Sequence, residues 1–376
     1  VARCHPPQMY GLSPFGELHL NFIPAVTVKV HIMEKDNIIA IDLAKSVFQV
    51  CKVSPRGKII YNREVSRKRL KELLVKETKS LVAMEACATA HYWARYAERA
   101  GHQVKVINAR IVKGFQTKQK TDKNDAIAIA TAAPLEHIQS VRIQSVEEQA
   151  MQSTERARSL ALTHVIAQSN QIRGLLLEFG IVIPQGINSL RRNLPMILED
   201  AENDLPDSFR QIVMSLWEHL EVQIEHADAI TSSLKGTIES NQVCQKLMKL
   251  EGVGPIGALG LSLRLGKGEH YSNGRNAAAS IGLTPKQHSS GGKEHIGHIS
   301  KQCADKRLRA TLYQGALSVV SLVVNRPPKT HKEQWLKALI ARRGKKVAAI
   351  ALANKTVRTA FAILKSDSEY EPEVIV

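Results

Sequence analysis

Four acidic residues in the first half of the chain have the types and positions expected of a divalent-metal site. Asp42 ends the apolar segment IIAID, and Glu85 ends a second apolar segment, LVAME. Asp122 and Asp125 are three residues apart at the start of a helical pattern, so both belong to one helix face. Converging carboxylates repel one another unless cations neutralise them, and such oxygen ligands suit Mg²⁺ or Mn²⁺. Two such ions can activate water and stabilise the leaving oxygen in phosphodiester cleavage.

Each acid taken alone also has an ordinary structural explanation. Asp122 could cap a helix, Asp125 would interact favourably with the helix dipole, and Glu85 could be a paired core acid. Two acids at apolar strand ends, together with a DxxD pair in a basic protein, favour catalysis. Sugar kinases and actin-like ATPases open with a similar strand–turn–strand, but they need a glycine-rich turn that DLAKSVF lacks.

An α/β domain over residues 36–145 is expected to position these acids. Acids at strand ends lie at the sheet edge where open α/β folds place their sites. Apolar and polar periodicities predict alternating strands and helices. The predicted strands cover 38–53 (two strands and a turn), 58–65, 81–86 and 102–108, and the predicted helices cover 66–77, 90–100 and the segment from 121 onward.

Two mostly helical units are predicted to follow. Residues 146–242 form a connector whose long helices, 146–180 and 206–240, would pack as an antiparallel hairpin or coiled coil. Such a pair is either a dimerisation arm or a plain helical linker. Residues 243–365 form a mostly α C-terminal domain, with helices near 304–324, 332–342 and 346–365, and residues 366–376 form a tail.

The first 35 residues are treated as a non-native or disordered extension. They are rich in proline and histidine, show no clean period, and begin with Val1. Met33 is the expected natural start.

Composition favours a polyanion as partner. The 376 residues carry a net charge of +17, and the pI is near 9.7. Such an excess attracts nucleic acid, although a basic surface can also have no partner. The five cysteines include no CxxC pair, no apolar run approaches the ~20 residues of a membrane span, and no secretory signal is evident. We therefore expect a cytoplasmic protein with reduced thiols.

Basic residues near the acids and in the C-terminal domain are candidate phosphate contacts. Lys118, Lys120 and Lys123 lie in the run KGFQTKQKTDKND, which is otherwise a solvated loop. Gly252 and Gly254 form a helix-hairpin-helix-like turn whose N–H groups could face a phosphate, or which could simply join packed helices. Between residues 264 and 309 there are nine Lys or Arg and three acids, and the candidates there are Lys286, Lys293, Lys301, Arg307 and Arg309.

The motifs IAIDLAK, AMEACATAHYW and KTDKNDA resemble the RuvC-like (RNase H-like) DEDD domain of the Piv-like invertases and related insertion-sequence transposases. QIRGLLLEFGI resembles the helical connector of that family. LEGVGPIGALGL, SIGLTPKQHSSGGKEHIGHISK and NKTVRTAFAIL resemble its C-terminal transposase domain. The resemblance covers residues 36–365 in the family's order, which is far more specific than any single motif.

The resemblance implies that Asp42, Glu85, Asp122 and Asp125 bind the metal ions. It also implies a C-terminal serine that attacks the scissile phosphate and forms a transient phosphoserine link. Ser289 and Ser290 both fit the motif, with a slight preference for Ser289. DNA is the implied substrate, and some family members use a guide RNA encoded in their own element. Two DNA partners must be exchanged, so a dimer or tetramer at the bacterial nucleoid is expected.

One departure from the family pattern lies after the serine motif. The family usually follows ISK with a glycine-containing turn, whereas this chain has ISKQCADKRLR, with Cys303 near the glycine position. A decayed, inactive nucleic-acid-binding copy is therefore one alternative. The other is a structure-specific DNA nuclease that uses the same acids with water as its only nucleophile.

Overall fold

A computed structural model describes residues 36–117, 119–300 and 305–375. The predicted N-terminal extension lies outside the described residues, as do Lys118, Lys301 and Cys303. The described chain is mostly helical, with one five-stranded sheet and one two-stranded sheet.

The five-stranded sheet forms the centre of the α/β domain. Its strands are β1 (Ile38–Asp42), β2 (Val47–Val53), β3 (Ile59–Ser66), β4 (Leu81–Glu85) and β5 (Gln103–Ile107). The order across the sheet is β3-β2-β1-β4-β5. The first three strands form an antiparallel meander, while β4 runs parallel to both β1 and β5. All five predicted strands are confirmed, and the sheet is mixed.

Helices cover both faces of this sheet. They are α1 (Arg67–Lys76), α2 (Ala90–Arg99), α3 (Ala109–Gly114) and α4 (Asp122–Ala132). Ile39 and Ile41 pack in the core on the side of α1 and α2, whereas Ala40 packs on the side of α3 and α4. Because both faces are covered, the central strand reads as a continuous apolar run. The predicted α1, α2 and α4 are confirmed, and α3 was not predicted.

Small residues let α4 approach the sheet closely. Its buried face includes Ala126, Ala128 and Ala132, and these lie in one core cluster with Ala40 and Ala83 of the sheet. Alanine on both surfaces leaves little side-chain volume between helix and strands. The first turn of α4 is therefore held beside the end of β1.

The connector contains α5 (Val146–Leu177), α6 (Ile187–Glu199) and α7 (Asp207–Glu239). Helices α5 and α7 run antiparallel, because Arg158 bonds Thr231 while Gln168, further along α5, bonds the carbonyl of Leu216. The predicted helical hairpin is confirmed, and α6 was not predicted.

The described part of the C-terminal domain contains six helices and a hairpin. The helices are α8 (Gln242–Met248), α9 (Pro255–Leu265), α10 (Gly274–Ser280), α11 (Lys306–Val324), α12 (His331–Arg343) and α13 (Lys345–Ser366). The hairpin pairs β6 (Pro285–Ser290) with β7 (Lys293–Ile299). The three predicted helices are confirmed. The hairpin was not predicted, because the sequence SSGGK was interpreted as an ordinary loop.

Helix α13 is long and apolar enough to pass a membrane-span test, with a mean hydropathy of 1.4. Half of the apolar stretch is nevertheless buried against the rest of the C-terminal domain. Lys355 and Arg358 also interrupt it. This is the pattern of a core helix.

The turn between α8 and α9 packs directly on α11. Gly252 has a φ of +76°, and a Cβ built at Gly315 would lie 1.9 Å from the Gly252 carbonyl oxygen. Both positions therefore need glycine for close backbone contact. This geometry accounts for Gly252 through packing, and its phosphate contact stays a prediction.

We expect Gly315→Ala to destabilise the protein by about 2 kcal/mol or more, because the new methyl group forces two backbones apart. Gly174→Ala in α5 is the matched control, since no atom beyond the neighbouring backbone of its own helix lies within 4 Å of its Cβ position. That variant should be neutral or more stable by up to ~1 kcal/mol. Thermal unfolding followed by circular dichroism measures both. Equal midpoints for the two variants would contradict the close contact.

Candidate functional site

Two of the four acids end neighbouring parallel strands. Ile41 of β1 pairs with Met84 of β4, so Asp42 and Glu85 follow at the same edge of the sheet. Both side chains are partly exposed, whereas the residues before them are buried. The sequence-based placement of these two acids at strand ends is confirmed.

The other two acids lie in the first turn of α4. The helix begins after Thr121, whose hydroxyl accepts a hydrogen bond from the backbone N–H of Asn124 at 3.3 Å. Asp122 and Asp125 follow in the first turn. Gln116 orients the second acid by donating its side-chain amide to Asp125 Oδ1 at 2.7 Å. Sequence reasoning missed Gln116, because nothing in its local pattern distinguishes it from a loop residue.

Three of these acids meet. One carboxylate oxygen each from Asp42, Asp122 and Asp125 lies within 4.8 Å of the other two. Glu85 is not a member of this group of three. It is close enough for its charge to raise the pKa of Asp42, so it lies at the edge of the acidic cluster.

The electrostatics of the cluster favour a bound cation. Burial, followed by the charges of Asp125, Asp122 and Glu85, raises the pKa of Asp42 to about 6. Burial and the charge of Asp125 also raise the pKa of Glu85. Lys120 opposes both shifts. The carboxylates therefore hold more negative charge than the neighbouring lysine neutralises.

The donor set fits a divalent cation that prefers oxygen. Three convergent carboxylates supply hard ligands, and no histidine or cysteine joins the group among the described residues. Mg²⁺, Mn²⁺ and Ca²⁺ prefer such ligands, whereas zinc sites usually include nitrogen or sulfur. The arrangement therefore supports use of a divalent metal.

The predicted basic contacts near the acids have different environments. Lys120 is exposed and acts electrostatically on Asp42 and Glu85. Lys123 is also exposed, and its backbone carbonyl accepts a hydrogen bond from Asn62 of β3 at 3.0 Å. That bond ties the start of α4 to the sheet, while the lysine side chain remains free to meet a phosphate.

The two candidate serines lie at the tip of the exposed hairpin. The turn consists of Gly291 and Gly292, with φ values of +56° and +77°, which suits a two-residue hairpin loop. Ser290 pairs with Lys293, and Ser289 pairs with Glu294. Since neighbouring residues of a strand point to opposite faces, the two serines lie on opposite faces of the hairpin.

The remaining predicted phosphate contacts fall into an exposed group and a bonded group. Lys286 and Lys293 are exposed on the hairpin, and Gly254 is exposed before α9. Arg307 lies 3.7 Å from Glu155 of α5, and Arg309 donates to the carbonyl of Ser300 at 2.6 Å. Nucleic-acid contact by all of these residues stays a prediction.

We expect Asp42→Asn to raise the unfolding temperature of the metal-free protein near neutral pH. The folded-state pKa of about 6 exceeds the ordinary value of 3.8, so the folded state binds more protons and loses stability as pH rises through this window. The variant lacks this loss, and Mg²⁺ should stabilise it less than it stabilises the parent. Thermal melts in EDTA and in MgCl₂, at about pH 5 and about pH 7.5, measure both effects.

Asp228→Asn, at an exposed position of α7, is the control and should melt like the parent under every condition. An Asp42→Asn protein whose melting temperature has the same pH and Mg²⁺ dependence as this control would refute the charge cluster.

Known proteins that are similar to this chain are transposases. Residues 39–181 match a family model described as a transposase of the DEDD type found in IS110, and residues 244–333 match the transposase IS116/IS110/IS902 family. A probable family 20 transposase of Pseudomonas aeruginosa is 34% identical over 89% of this chain and 98% of its own length. The transposase of insertion sequence element IS1111A from Coxiella burnetii is 34% identical over 90% of this chain and 92% of its own.

A more distant relative has a name that refers to gene inversion. The pilin gene-inverting protein of Moraxella bovis is 23% identical over 76% of this chain and 81% of its own length. The predicted resemblance is thereby confirmed, and the chain belongs to the IS110/IS116 family of transposases.

Proposed function

We propose that this transposase cuts and rejoins DNA with a metal site formed by its acidic cluster and with a serine of the β6–β7 hairpin as nucleophile. The convergence of Asp42, Asp122 and Asp125 within 4.8 Å carries the proposal. These residues come from β1 and α4, and no ordinary stability requirement gathers three like charges. The strand order β3-β2-β1-β4-β5 with its antiparallel meander supports a RuvC-like (RNase H-like) assignment for this domain.

Mg²⁺, or Mn²⁺ in its place, is the proposed metal. Asp42, Asp122 and Asp125 would hold it, with Glu85 completing the DEDD set from the edge of the cluster. When bound, such an ion polarises a phosphodiester and stabilises the charge on attacking and leaving oxygens. Gln116 fixes the carboxylate of Asp125 through its hydrogen bond. Lys120 is placed to meet a phosphate beside the acids.

We infer that Ser290, rather than Ser289, is the nucleophile. Ser290 and Lys293 share one hairpin face with the pair His288 and His295. That face carries only neutral or basic side chains, so a phosphate can approach it. Ser289 instead shares its face with Glu294, whose carboxylate repels a phosphate. The geometry therefore reverses the slight preference for Ser289 drawn from the motif.

The proposed step is a transesterification. The Ser290 oxygen forms a bond to phosphorus while the bond to one deoxyribose oxygen breaks, and the serine proton passes to a base. Serine needs such activation to attack. The phosphoserine link conserves a phosphoester bond, so the reverse attack by a deoxyribose hydroxyl rejoins DNA.

The serine and the acids must be brought together. No hydrogen bond or ion pair joins residues 285–299 to the four acids in the described chain, and the hairpin is almost wholly exposed. Either the C-terminal domain docks on its own α/β domain during the reaction, or the hairpin of another protomer supplies the serine. We therefore keep a dimer or tetramer as part of the proposal.

DNA is the proposed substrate, and the net charge of +17 supports it. A guide RNA encoded in the same element remains part of the proposal through the family resemblance. A cytoplasmic location at the bacterial nucleoid follows from that substrate.

Asp125→Asn is expected to reduce cleavage of labelled element-end DNA by about 100-fold or more, because it removes one charged ligand from the metal site. DNA affinity in the same buffer should stay within about twofold, since a removed acid does not weaken phosphate binding. Asp228→Asn serves as the charge-matched control and should cleave normally. Undiminished cleavage by the Asp125→Asn protein would refute the metal site, whereas DNA binding without cleavage by the parent would identify a binding protein with a vestigial site.

Ser290→Ala should abolish the covalent protein–DNA adduct, whereas Ser289→Ala should retain it. Both positions are exposed, so neither substitution removes a packed side chain. The assay incubates element-end DNA with protein, Mg²⁺ and the neighbouring transcript, and resolves the adduct on a denaturing gel. Cleavage without an adduct in the parent and in both variants would identify a nuclease that uses water. Loss only in Ser289→Ala would overturn the assignment to Ser290.

A further inference from the structure

A cavity of about 1190 Å³ lies where the α/β domain, α5 and the C-terminal domain meet. None of the four acids of the metal site lines it. Five arginine or lysine residues line it against two acids, Glu155 and Asp305. The cavity is therefore separate from the acidic cluster and has an excess of positive charge, which the cleavage chemistry does not explain.

Two of the basic residues have structural partners. Arg142 forms an ion pair with Glu148 and donates to the carbonyl of Leu263 at 3.3 Å. A Cβ at Gly266 would lie 2.3 Å from Arg142 Nε, so the guanidinium packs directly on that glycine. Arg264 donates to the Ser280 carbonyl at 3.0 Å. These contacts hold two walls of the cavity in place.

Both acids of the lining already have partners. Glu155 lies 3.7 Å from Arg307, and Asp305 caps α11 by accepting from the backbone N–H of Leu308 at 2.9 Å. Arg156 of α5 and Lys306 of α11 are exposed and form no hydrogen bond or ion pair with other described residues. The cavity therefore keeps two cations that have no partner.

Burial and the positive charges of nearby arginines also act on two histidines in the lining. Burial and the charges of Arg95, Arg142 and Arg156 lower the pKa of His91, and burial and Arg142 lower that of His270. The backbone N–H of Gln144 donates to His91 Nδ1 at 3.3 Å. We assign the proton of the neutral ring to Nε2 on that basis, which leaves a donor for a ligand.

An unsatisfied polar group also lies in the cavity wall. The side chain of Gln144 is only 6% exposed, and its Oε1 has no hydrogen-bond partner in the described structure. A buried amide oxygen without a partner is costly, which is unusual in a stable wall. Its position in the lining offers an acceptor to a donor group of a ligand that enters, such as a base amine, while the cations of the lining suit acceptor groups.

We propose that this junction cavity binds a single strand of nucleic acid through its phosphates. Its volume exceeds the ~300–1,000 Å³ of small-molecule sites but is too small to enclose a duplex. Unpaired Arg156 and Lys306 suit phosphate oxygens, and the start of α11 adds the positive end of a helix dipole. The proposed function enters only in the choice of nucleic acid as the polyanion.

Occupation of the cavity would link three parts of the chain. Arg156 belongs to the connector, Lys306 to the C-terminal domain, and His91 to the α/β domain. A strand that contacts all three favours the arrangement in which these walls meet over one in which they are separated, because it binds only when the walls are together.

The test compares two double variants of the full chain. Arg156→Gln with Lys306→Gln removes the unpaired cations of the cavity. Arg192→Gln with Lys235→Gln removes the same charge from exposed helical positions of the connector. Fluorescence anisotropy measures the Kd of labelled oligonucleotides of about 12 residues, as single-stranded DNA, single-stranded RNA and duplex DNA, in EDTA over a range of salt.

For single strands, we expect the cavity variant to lose about tenfold in affinity, and its salt slope to fall by about 1.4, because each phosphate contact contributes about 0.7. The control should stay within about twofold. Equal weakening in both variants, or weakening confined to the duplex, would overturn the proposal. Binding is measured without metal, so the Asp125→Asn cleavage assay can fail independently and would then count against the proposed function alone.

Discussion

Like charges held at close range are the constraint on which the α/β domain depends. Three carboxylates lie within 4.8 Å of one another, and burial together with repulsion by the neighbouring acids raises the pKa of Asp42 to about 6. Two supports keep them there. Strand β1 is hydrogen bonded on both sides, by β2 and β4, and the alanine-rich face of α4 packs against it. Neither β1 nor α4 can move away without losing core contacts. Only a proton or a cation therefore relieves the repulsion between the carboxylates.

Much of this domain could be predicted because its signals are local. Apolar runs of β-branched residues mark β1 and β4, and each ends in an acid; the DxxD pair follows a threonine cap. The peripheral position of Glu85 could not be predicted, because it depends on how far each side chain reaches across the folded edge. Gln116 was missed for the same reason, since its contact with Asp125 joins a loop to a helix.

The C-terminal domain shows where sequence patterns stop being informative. Both hairpin strands are almost wholly exposed, so PKQHSS and KEHIGHI carry no alternation of apolar and polar residues. Only the Gly291–Gly292 turn signals a hairpin, and the same pair also suits an irregular loop. For Gly252, the local sequence suggests one role, and the folded structure adds another. The phosphate-binding turn stays a prediction. The packing partner Gly315 could not be predicted, because it is 63 residues away and only the folded chain brings the two glycines together.

Arg142 and Gly266 have a consequence for how members of this family can exchange parts. The arginine belongs to the segment that leaves the α/β domain, and the glycine ends α9 with no room for a larger side chain. A chimera that joins the catalytic half of one relative to the C-terminal half of another must inherit both residues as a matched pair. If the residue at position 266 were not glycine, its side chain would meet the Arg142 guanidinium. The two halves would then lose this packing contact. Exchange of either half of this chain is therefore limited by a contact remote from the acidic cluster.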